Sequence, residues 1–294
     1  MIERLCIVGV GLIGGSLARA ARRAGLCRRV VGVDADAANL QRAQALGVVD
    51  RGCADVAEGA KDADVVLIAV PVQATEAVLA ALKPVWNSRA VYTDAGSTKV
   101  NVLEAAERVF GSLPANFVPG HPIAGAERSG VDASHADLFR HKRVILTPAA
   151  ETAPAAVQRV AELWRGAGAE VSEMEPLRHD QVLAATSHLP HVAAFALVDM
   201  LGREDETEAI FRYAAGGFRD FTRIASSDAA MWRDICLANR EPILQRIEGL
   251  RDELGQVAAL IASGDGDALL QLFQRAKAAR QRFLDLYENN HHAQ

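Results

Sequence analysis

The 294-residue chain has few cysteines, few aromatic residues and no excess of positive charge. Its cysteines are Cys6, Cys27, Cys53 and Cys236, and they show neither the CxxC spacing of a zinc site nor the density of a disulfide framework. We therefore expect reduced, structural thiols and no metal site. The net charge is −5, which argues against the basic surface that a nucleic-acid partner requires.

The sequence also shows no charged N-terminal region leading into an apolar signal segment, and no uninterrupted apolar run of the length that crosses a bilayer. We expect no membrane partner and a soluble, cytoplasmic protein. Half of the residues are hydrophobic and 23% are charged, which is the balance of a globular chain. A chain of this length is expected to form two domains.

Short β-rich runs alternate with helical patterns in the first part of the chain, which predicts a Rossmann-type, doubly wound parallel sheet covered by helices. The predicted strands are 5–8, 30–34, 65–70, 90–94, 117–119, 144–147 and 170–173. Beyond them the pattern is helical, so we place a sheet domain at 1–174 and an all-helical domain at 175–294. Apolar residues from Ile243 to Leu260 recur every three or four positions, which suits either packing within that domain or a subunit interface.

The stretch GVGLIGG follows the first predicted strand and opens a helix. Gly9 would permit the tight turn, Gly11 the approach of a pyrophosphate, and Gly14 close packing of helix and strand. Asp34 ends the second strand twenty residues later, where it would accept hydrogen bonds from the adenosine ribose and repel a 2′-phosphate. This pattern predicts NAD rather than NADP, although an α/β turn without a ligand has the same glycines. We also assign to the cofactor site Leu12, Ile13, Val70 and Pro71, which lie at the same predicted edge, although Pro71 is equally consistent with a simple strand terminator.

Two polar turns follow later strands, TDAGSTK at 93–99 and GHPIAGAERSGV at 120–131. Ser97 could cap the helix that is predicted to begin near Lys99, or it could serve the site. His121 could be a structural histidine, but an imidazole is also suited to take a proton from a hydroxyl while hydride leaves the attached carbon.

Four segments behind the glycine-rich turn, DAGSTK, GHPIAGAERSG, RHDQVLAATSHLPHVAAFAL and GGFRDFTRIASSDAAMWRDI, resemble the prephenate/arogenate (cyclohexadienyl) dehydrogenase family of tyrosine biosynthesis. The resemblance runs over nearly the whole chain. It implies an NAD-dependent oxidative decarboxylation of prephenate to 4-hydroxyphenylpyruvate, of arogenate to tyrosine, or both. It also implies a homodimer formed through the helical domain, and any tyrosine inhibition would act at the active site.

The same resemblance assigns roles to individual residues. His121 accepts the proton of the substrate hydroxyl, and Ser97 hydrogen-bonds near that hydroxyl and orients the histidine. Arg223 is the main arginine for a substrate carboxylate, because a guanidinium fork binds a carboxylate bidentately. Arg219 is a weaker candidate for the same role. The alternative for a lone arginine is a solvated surface residue.

Further substrate-site candidates come from the resemblance. His191 is a polar wall of the pocket and His188 a supporting neighbour; a metal site at these two histidines lacks a third ligand. Glu127 and Asp180 look like an ionic network near the pocket mouth, and the resemblance also allows Asp180 to come from a neighbouring subunit. Trp232 also matches a family position, and each of the last three has an ordinary alternative as a surface charge or a core aromatic.

Two other functions compete with this interpretation. A β-hydroxyacid-type dehydrogenase has a similar two-domain plan, but such enzymes usually depend on a lysine in the helical domain, and Lys277 is the one lysine after residue 174. A non-catalytic dinucleotide-binding protein would keep the glycine-rich turn without needing Ser97, His121 and Arg223 together.

Overall fold

The computed structural model describes residues 1–126, 128–205 and 208–292. The strands are β1 Ile2–Val8, β2 Cys27–Val33, β3 Arg51–Cys53, β4 Val65–Ile68, β5 Val91–Asp94, β6 Phe117–Val118, β7 Gly120–Pro122, β8 Arg143–Leu146 and β9 Glu170–Glu173. The α-helices are α1 Leu12–Arg23, α2 Ala37–Ala45, α3 Val56–Ala60, α4 Thr75–Leu82, α5 Val100–Phe110, α6 Pro154–Gly166, α7 Pro176–Leu183, α8 Leu189–Glu204, α9 Ala209–Arg212, α10 Gly216–Thr222, α11 Ala229–Ala238, α12 Arg240–Ser263 and α13 Gly266–His292.

Six strands form a parallel sheet in the order β3-β2-β1-β4-β5-β6. β1 lies between β2 and β4, so the chain switches direction across the sheet at β1, and ligands bind at such a switch point in doubly wound folds. This confirms the predicted Rossmann-type fold. Strand β3 was missed by the sequence analysis because three residues are too few to show a period.

The sheet is covered on both faces, as its sequence alternation requires. Leu5 and Ile7 of β1 belong to one apolar cluster, which includes residues of α1 and α6, whereas Cys6 and Val8 belong to another, which includes residues of α4 and α5. Because successive side chains of a strand point to opposite faces, one strand contributes to both clusters. The four cysteines, all within the described residues, are free thiols, and burial raises the pKa of Cys6 to about 12.

A second, smaller sheet contains β7, β8 and β9, with β7 antiparallel and β9 parallel to β8. The segments 144–147 and 170–173 were predicted as strands of the main sheet, but they lie in this second sheet. The segment 120–131 was predicted as a turn, but its first three residues form a strand. Pro119 separates β6 from β7 and the backbone changes partner there, so His121 lies on a short strand paired with Ile145. The strand holds His121 more rigidly than a loop would.

Helices α7 and α8 form one helical stretch that is interrupted by a π-helical turn at Ala184–His188. Pro190 explains the interruption, because its ring cannot donate to the carbonyl group four residues earlier and would clash with it in a regular helix. The π-turn therefore has a local sequence cause, and it lies between His179 and His191.

The stretch Pro176–Glu204 is long and apolar enough to cross a membrane by length and composition, with a mean hydropathy of 1.3 in its most apolar window. The expectation that no segment reaches such a length needs this correction. The stretch nevertheless carries His179, Asp180 and His188, which are buried and hydrogen-bonded to protein groups. Such internally satisfied polar groups are typical of a helix packed against protein.

The chain forms two compact units, Met1–Pro242 and Ile243–Gln294. Asp180 of α7, the first helix after the sheets, accepts hydrogen bonds at the N-terminus of α5. This helix therefore packs within the first unit. The predicted domain border at 174/175 stays a prediction, and all candidate site residues lie in the first unit. In the second unit α12 and α13 leave apolar side chains exposed, among them Leu254, Ile261, Leu270 and Phe273.

Candidate active site

The glycine-rich turn connects β1 to α1 and has the geometry predicted for a dinucleotide loop. Gly9 has a φ of +92°, and a Cβ atom there would collide with the carbonyl oxygen of Ala69. A Cβ atom on Gly14 would collide with the carbonyl oxygen of Gly9, whereas one on Gly11 would meet nothing within 4 Å. Gly9 and Gly14 are therefore required for packing, while Gly11 leaves open space at the N-terminus of α1, where a phosphate would be stabilised.

Asp34 follows β2 and lies against this loop. Its Oδ2 accepts hydrogen bonds from the backbone N–H of Val10 at 3.0 Å and from Nδ2 of Asn39 at 2.9 Å, and its Oδ1 accepts from the N–H of Asp36 at 3.0 Å. These bonds fix the carboxylate at the edge of the sheet and leave acceptor capacity on Oδ1 for a ribose hydroxyl. Asn39, which also donates to the carbonyl group of Val10, was missed by the sequence analysis.

The other predicted cofactor residues lie beside the loop. Leu12 and Ile13 form the first turn of α1 and are half-buried. Val70 and Pro71 follow β4, and Cγ1 of Val70 lies 3.2 Å from the position a Cβ atom would take on Gly9. Their contact with a nucleotide stays a prediction, and the donors, acceptors and open space of the loop fit a dinucleotide.

A buried ion pair organises the turn after β5. Nζ of Lys99 lies 2.5 Å from Oδ2 of Asp94, and both side chains are almost completely buried. Asp94 also accepts from the N–H of Gly96 at 2.8 Å and of Gly120 at 3.0 Å, while Lys99 donates to the carbonyl group of Gly120 at 2.8 Å. The pair therefore clamps both backbone groups of the residue before His121. Burial lowers the pKa of Lys99, and the carboxylate of Asp94 opposes that shift.

Helix α5 begins at Val100, close to the predicted start, but its N-terminus is capped from far away in the sequence. Asp180 accepts from the N–H of Lys99 at 2.8 Å and from that of Val100 at 2.9 Å. Ser97 lies in the bend before the helix and is half-buried, so the capping role considered for it belongs to Asp180. The carboxylate of Asp180 is 1% exposed, so its predicted position at the pocket mouth is wrong.

His121 is joined to Asp180 through a second histidine. Nδ1 of His121 lies 2.9 Å from Nε2 of His179, and Nδ1 of His179 lies 2.8 Å from Oδ1 of Asp180. Burial, reinforced by the unfavourable interaction that a charged His121 would have with His179, Lys99 and His188, holds the pKa of His121 well below its ordinary value. The imidazole of His121 is therefore neutral at neutral pH, which is the state that can accept a proton.

His188 lies in the π-helical turn and supports this cluster. Nδ2 of Asn239 donates to the carbonyl group of Asp180 at 2.8 Å and lies 3.0 Å from Nδ1 of His188. Nδ1 of His188 thus accepts, and its proton is on Nε2. Burial lowers the pKa of His188 to about 4, although the Asp180 charge opposes the shift.

His191 and Trp232 form a stacked pair, with ring centroids 3.8 Å apart and an interplanar angle of 20°. Nδ1 of His191 donates to the carbonyl group of Ser187 at 2.9 Å, which leaves Nε2 as an acceptor. Burial lowers the pKa of His191, and the positive charge of Arg223 lowers it further. The structure therefore brings His191, Trp232 and the charge of Arg223 together, although they are predicted from two separate sequence segments.

The arginines differ in their surroundings. Arg219 belongs to α10, and its side chain is 83% exposed and forms an ion pair with the adjacent Asp220. Arg223 starts the 3₁₀ turn after α10 and is exposed as well. Binding of substrate by either residue stays a prediction. Glu127 lies outside the described residues.

Five residues of the site were not singled out from the sequence: Asn39, Asp94, Lys99, His179 and Asn239. Lys99 and Asp94 flank the AGST turn, and a lysine and an aspartate five residues apart across such a turn are a local signal for an ion pair. His179 precedes Asp180 in RHDQ, and the adjacent histidine and aspartate were a signal for a relay. Asn239 has no comparable local signal, because its partners are 51 and 59 residues away.

Comparison with known proteins covers most of the chain. Residues 17–173 match the family model described as prephenate dehydrogenase, nucleotide-binding domain, and residues 175–275 match prephenate dehydrogenase, dimerization domain. The cyclohexadienyl dehydrogenase of Zymomonas mobilis subsp. mobilis is 39% identical over 95% of this chain and 96% of its own length. The prephenate dehydrogenase of Bacillus subtilis is 38% identical over 95% of this chain and 76% of its own length.

Solved structures give the same result. The prephenate dehydrogenase of A. aeolicus, in complex with hydroxyphenyl propionate and NAD+, aligns with a TM-score of 0.89 at 37% identity, covering 96% of this chain and 99% of that one. The arogenate dehydrogenase of Synechocystis aligns with a TM-score of 0.81 at 27% identity, covering 96% and 100%.

Proposed function

The chain belongs to the prephenate dehydrogenase family and is an NAD-dependent oxidoreductase, and from this premise we propose that His121 is the base of an oxidative decarboxylation of prephenate, arogenate or both. Prephenate yields 4-hydroxyphenylpyruvate and arogenate yields tyrosine, so the reaction belongs to tyrosine biosynthesis. The feature that supports the proposal most directly is the buried imidazole of His121, which is neutral and has one ring nitrogen tied to His179.

The reaction requires one proton acceptor from the chain. The proton of the ring 4-hydroxyl goes to His121, and the carbon that bears the hydroxyl loses its hydrogen as hydride. The bond between the ring and its carboxylate breaks, CO₂ leaves, and the electron pair of that bond completes the aromatic ring. The phenolate oxygen then takes the proton back from His121, so the reaction neither gains nor loses a proton overall. When bound, NAD supplies the acceptor for the hydride. A base of this kind contributes about 10²- to 10⁴-fold to the rate.

Positioning of the substrate falls to the polar groups around His121. Ser97 is half-buried in the turn that the Asp94–Lys99 pair holds beside Gly120, so its hydroxyl is a candidate partner of the substrate hydroxyl. We assign a substrate carboxylate to Arg223, because a guanidinium fork matches a carboxylate and its charge already acts on His191. We also propose that the substrate site includes His188, His191, Trp232, Arg219 and Glu127. Asp180 is buried and acts through its hydrogen bonds to His179 and to the start of α5.

The cofactor residues are those of the loop after β1 and its neighbours. Gly9, Gly11 and Gly14 form the turn, Asp34 binds the adenosine ribose, and Leu12, Ile13, Val70 and Pro71 surround it. Asp34 favours NAD because a second negative charge, on a 2′-phosphate, would be repelled at this carboxylate.

Residues 175–275 match the family's dimerization domain, which supports a homodimer of this chain acting on a small-molecule substrate. We further propose that the enzyme works in the cytoplasm. We also propose that tyrosine inhibits at the active site, because it shares with the product of prephenate oxidation a phenol ring and a side-chain carboxylate.

Turnover is tested by incubating the protein with NAD and either prephenate or arogenate while the absorbance of NADH is followed. We expect NADH with at least one of the two, and the ratio of kcat/KM values gives the preference. NADH with a small β-hydroxy acid alone would support the β-hydroxyacid alternative. Binding of NAD without turnover of any of the three would support a non-catalytic protein.

A further inference from the structure

His121, His179 and Asp180 form a continuous hydrogen-bonded chain inside the first unit. Nδ1 of His121 lies 2.9 Å from Nε2 of His179, and Nδ1 of His179 lies 2.8 Å from Oδ1 of Asp180. The three residues are 9%, 0% and 1% exposed, so water does not compete for these bonds. His121 is on β7, whereas the other two residues are on α7, and His179 lies 58 positions after His121 in the sequence.

The direction of each bond follows from Asp180. Its two oxygens also accept the backbone N–H groups of Lys99 and Val100, and a carboxylate that receives several donors is held as the acceptor-only anion. Nδ1 of His179 must therefore carry a proton. A neutral imidazole has a single N–H, so Nε2 of His179 is an acceptor.

The same reasoning applied to the next ring decides the tautomer of His121. Because Nε2 of His179 accepts, Nδ1 of His121 must donate, and the lone pair of His121 is on Nε2. The other tautomer would place two lone pairs against each other at 2.9 Å in a buried site. Only the Nδ1–H tautomer leaves a nitrogen of His121 ready to take a proton.

We propose that His179, oriented by Asp180, is a positioning residue that fixes His121 as the Nδ1–H tautomer and stabilises the imidazolium that forms when His121 takes the substrate proton. The inference depends on the proposed function, in which His121 is the base. The carboxylate and the second imidazole act as the aspartate does in a Ser–His–Asp triad, by orientation and charge rather than by contact with substrate.

Asp180 has a second task that complicates its own test. Its carboxylate caps α5, so a variant of Asp180 disturbs both the chain of hydrogen bonds and the helix that follows the Ser97 turn. His179 has no bond to α5 in the described part of the chain and is the cleaner position to change.

Two isosteric substitutions of His179 separate the two nitrogens. His179→Asn keeps a donor near the Nδ1 position, which can reach Asp180, and loses the acceptor for His121. His179→Gln places an amide oxygen near the Nε2 position and keeps that acceptor. We expect His179→Asn to lower kcat about 10²-fold with KM nearly unchanged, because an unrestrained catalytic group loses about that much, and His179→Gln to recover most of the rate.

The tautomer itself is measured by ¹⁵N NMR of histidine-labelled protein, with the signals of His121 assigned from the His121→Asn variant. Wild-type protein and His179→Gln should show His121 protonated at Nδ1, and His179→Asn should show a mixture of tautomers. Thermal unfolding and NAD affinity serve as controls for folding.

The proposal is overturned if His121 is protonated at Nε2 in the wild type, if His179→Asn keeps the wild-type kcat, or if His179→Gln loses as much rate as His179→Asn with folding intact. Failure of the proposed function looks different, because the wild type itself would then give no NADH with prephenate or arogenate, while the NMR measurement would still report the tautomer.

Discussion

Lys99→Met tests whether the buried ion pair with Asp94 holds the site together. The substitution keeps a long apolar side chain of similar length but removes the ammonium group, so Asp94 is left as a buried charge. Removal of one partner from a buried pair costs about 3–5 kcal/mol. Asp94 keeps two N–H donors, from Gly96 and Gly120, which places the expected loss at the lower end, about 3 kcal/mol.

The loss is measured as the free energy of unfolding in urea and as Tm. For a unit of this size about 2–4 °C of Tm corresponds to each kcal/mol, so we expect a drop of about 6–12 °C. We also expect kcat to fall about 10²-fold, because the carbonyl group of Gly120 loses its donor and His121 is the next residue.

The matched control is Arg108→Met, which breaks the surface pair of Arg108 with Glu76, where both side chains are about half exposed. Exposed pairs contribute little, so this variant should stay near the wild type in Tm and kcat. The double variant Asp94→Asn/Lys99→Met should be no less stable than Lys99→Met, because the two changes remove the same interaction. Equal effects of Lys99→Met and Arg108→Met would refute the reasoning.

Three further variants and one pH measurement test the assigned roles. His121→Asn should lower kcat by about 10²- to 10⁴-fold with KM largely retained, and near-normal kcat would remove His121 as the base. Arg223→Ala should raise KM for prephenate by about 10- to 100-fold, the value of a charge-assisted contact, with a smaller change in kcat. Asp34→Asn should narrow the preference for NAD over NADP in the ratio of kcat/KM values, and an unchanged ratio would contradict the role of the carboxylate. Burial lowers the pKa of His121, so its neutral form persists in acid. As the pH is lowered, kcat/KM of the wild type should therefore begin to fall only below pH about 6.5, the ordinary pKa of histidine. A fall that begins above that pH would count against this base.

Much of the fold could be predicted because its signals are local. The strands β1, β2, β4 and β5 are apolar runs that end in Gly, Asp or Pro, and they were predicted to within a few residues. The strand β7 was not, since Gly120–Pro122 is too short and too polar to show alternation, and it forms a strand only because Val144–Leu146 offers a partner edge.

The candidate site likewise contains residues that a local sequence motif indicates and residues whose position depends on distant contacts. Ser97, His121 and Arg223 stand in motifs that can be recognised from the sequence, and so do the glycines of the loop after β1. Asp180 was assigned to the pocket mouth from the family resemblance. It is buried instead, because α5 needs a cap at its N-terminus and the turn before that helix is occupied by the Asp94–Lys99 pair.

The sequence by itself determined the Rossmann-type sheet, the glycine-rich loop with Asp34 and the family, and it singled out His121 as the candidate base. Those properties depend on residue spacing along a few turns of chain. The tertiary structure alone decided that Asp180, 81 residues from Lys99, caps α5, and that His179 meets His121 across 58 residues. Such contacts are created where α7 meets the N-terminus of α5 and His121 of β7, and no local periodicity encodes which polar groups that packing will bury together.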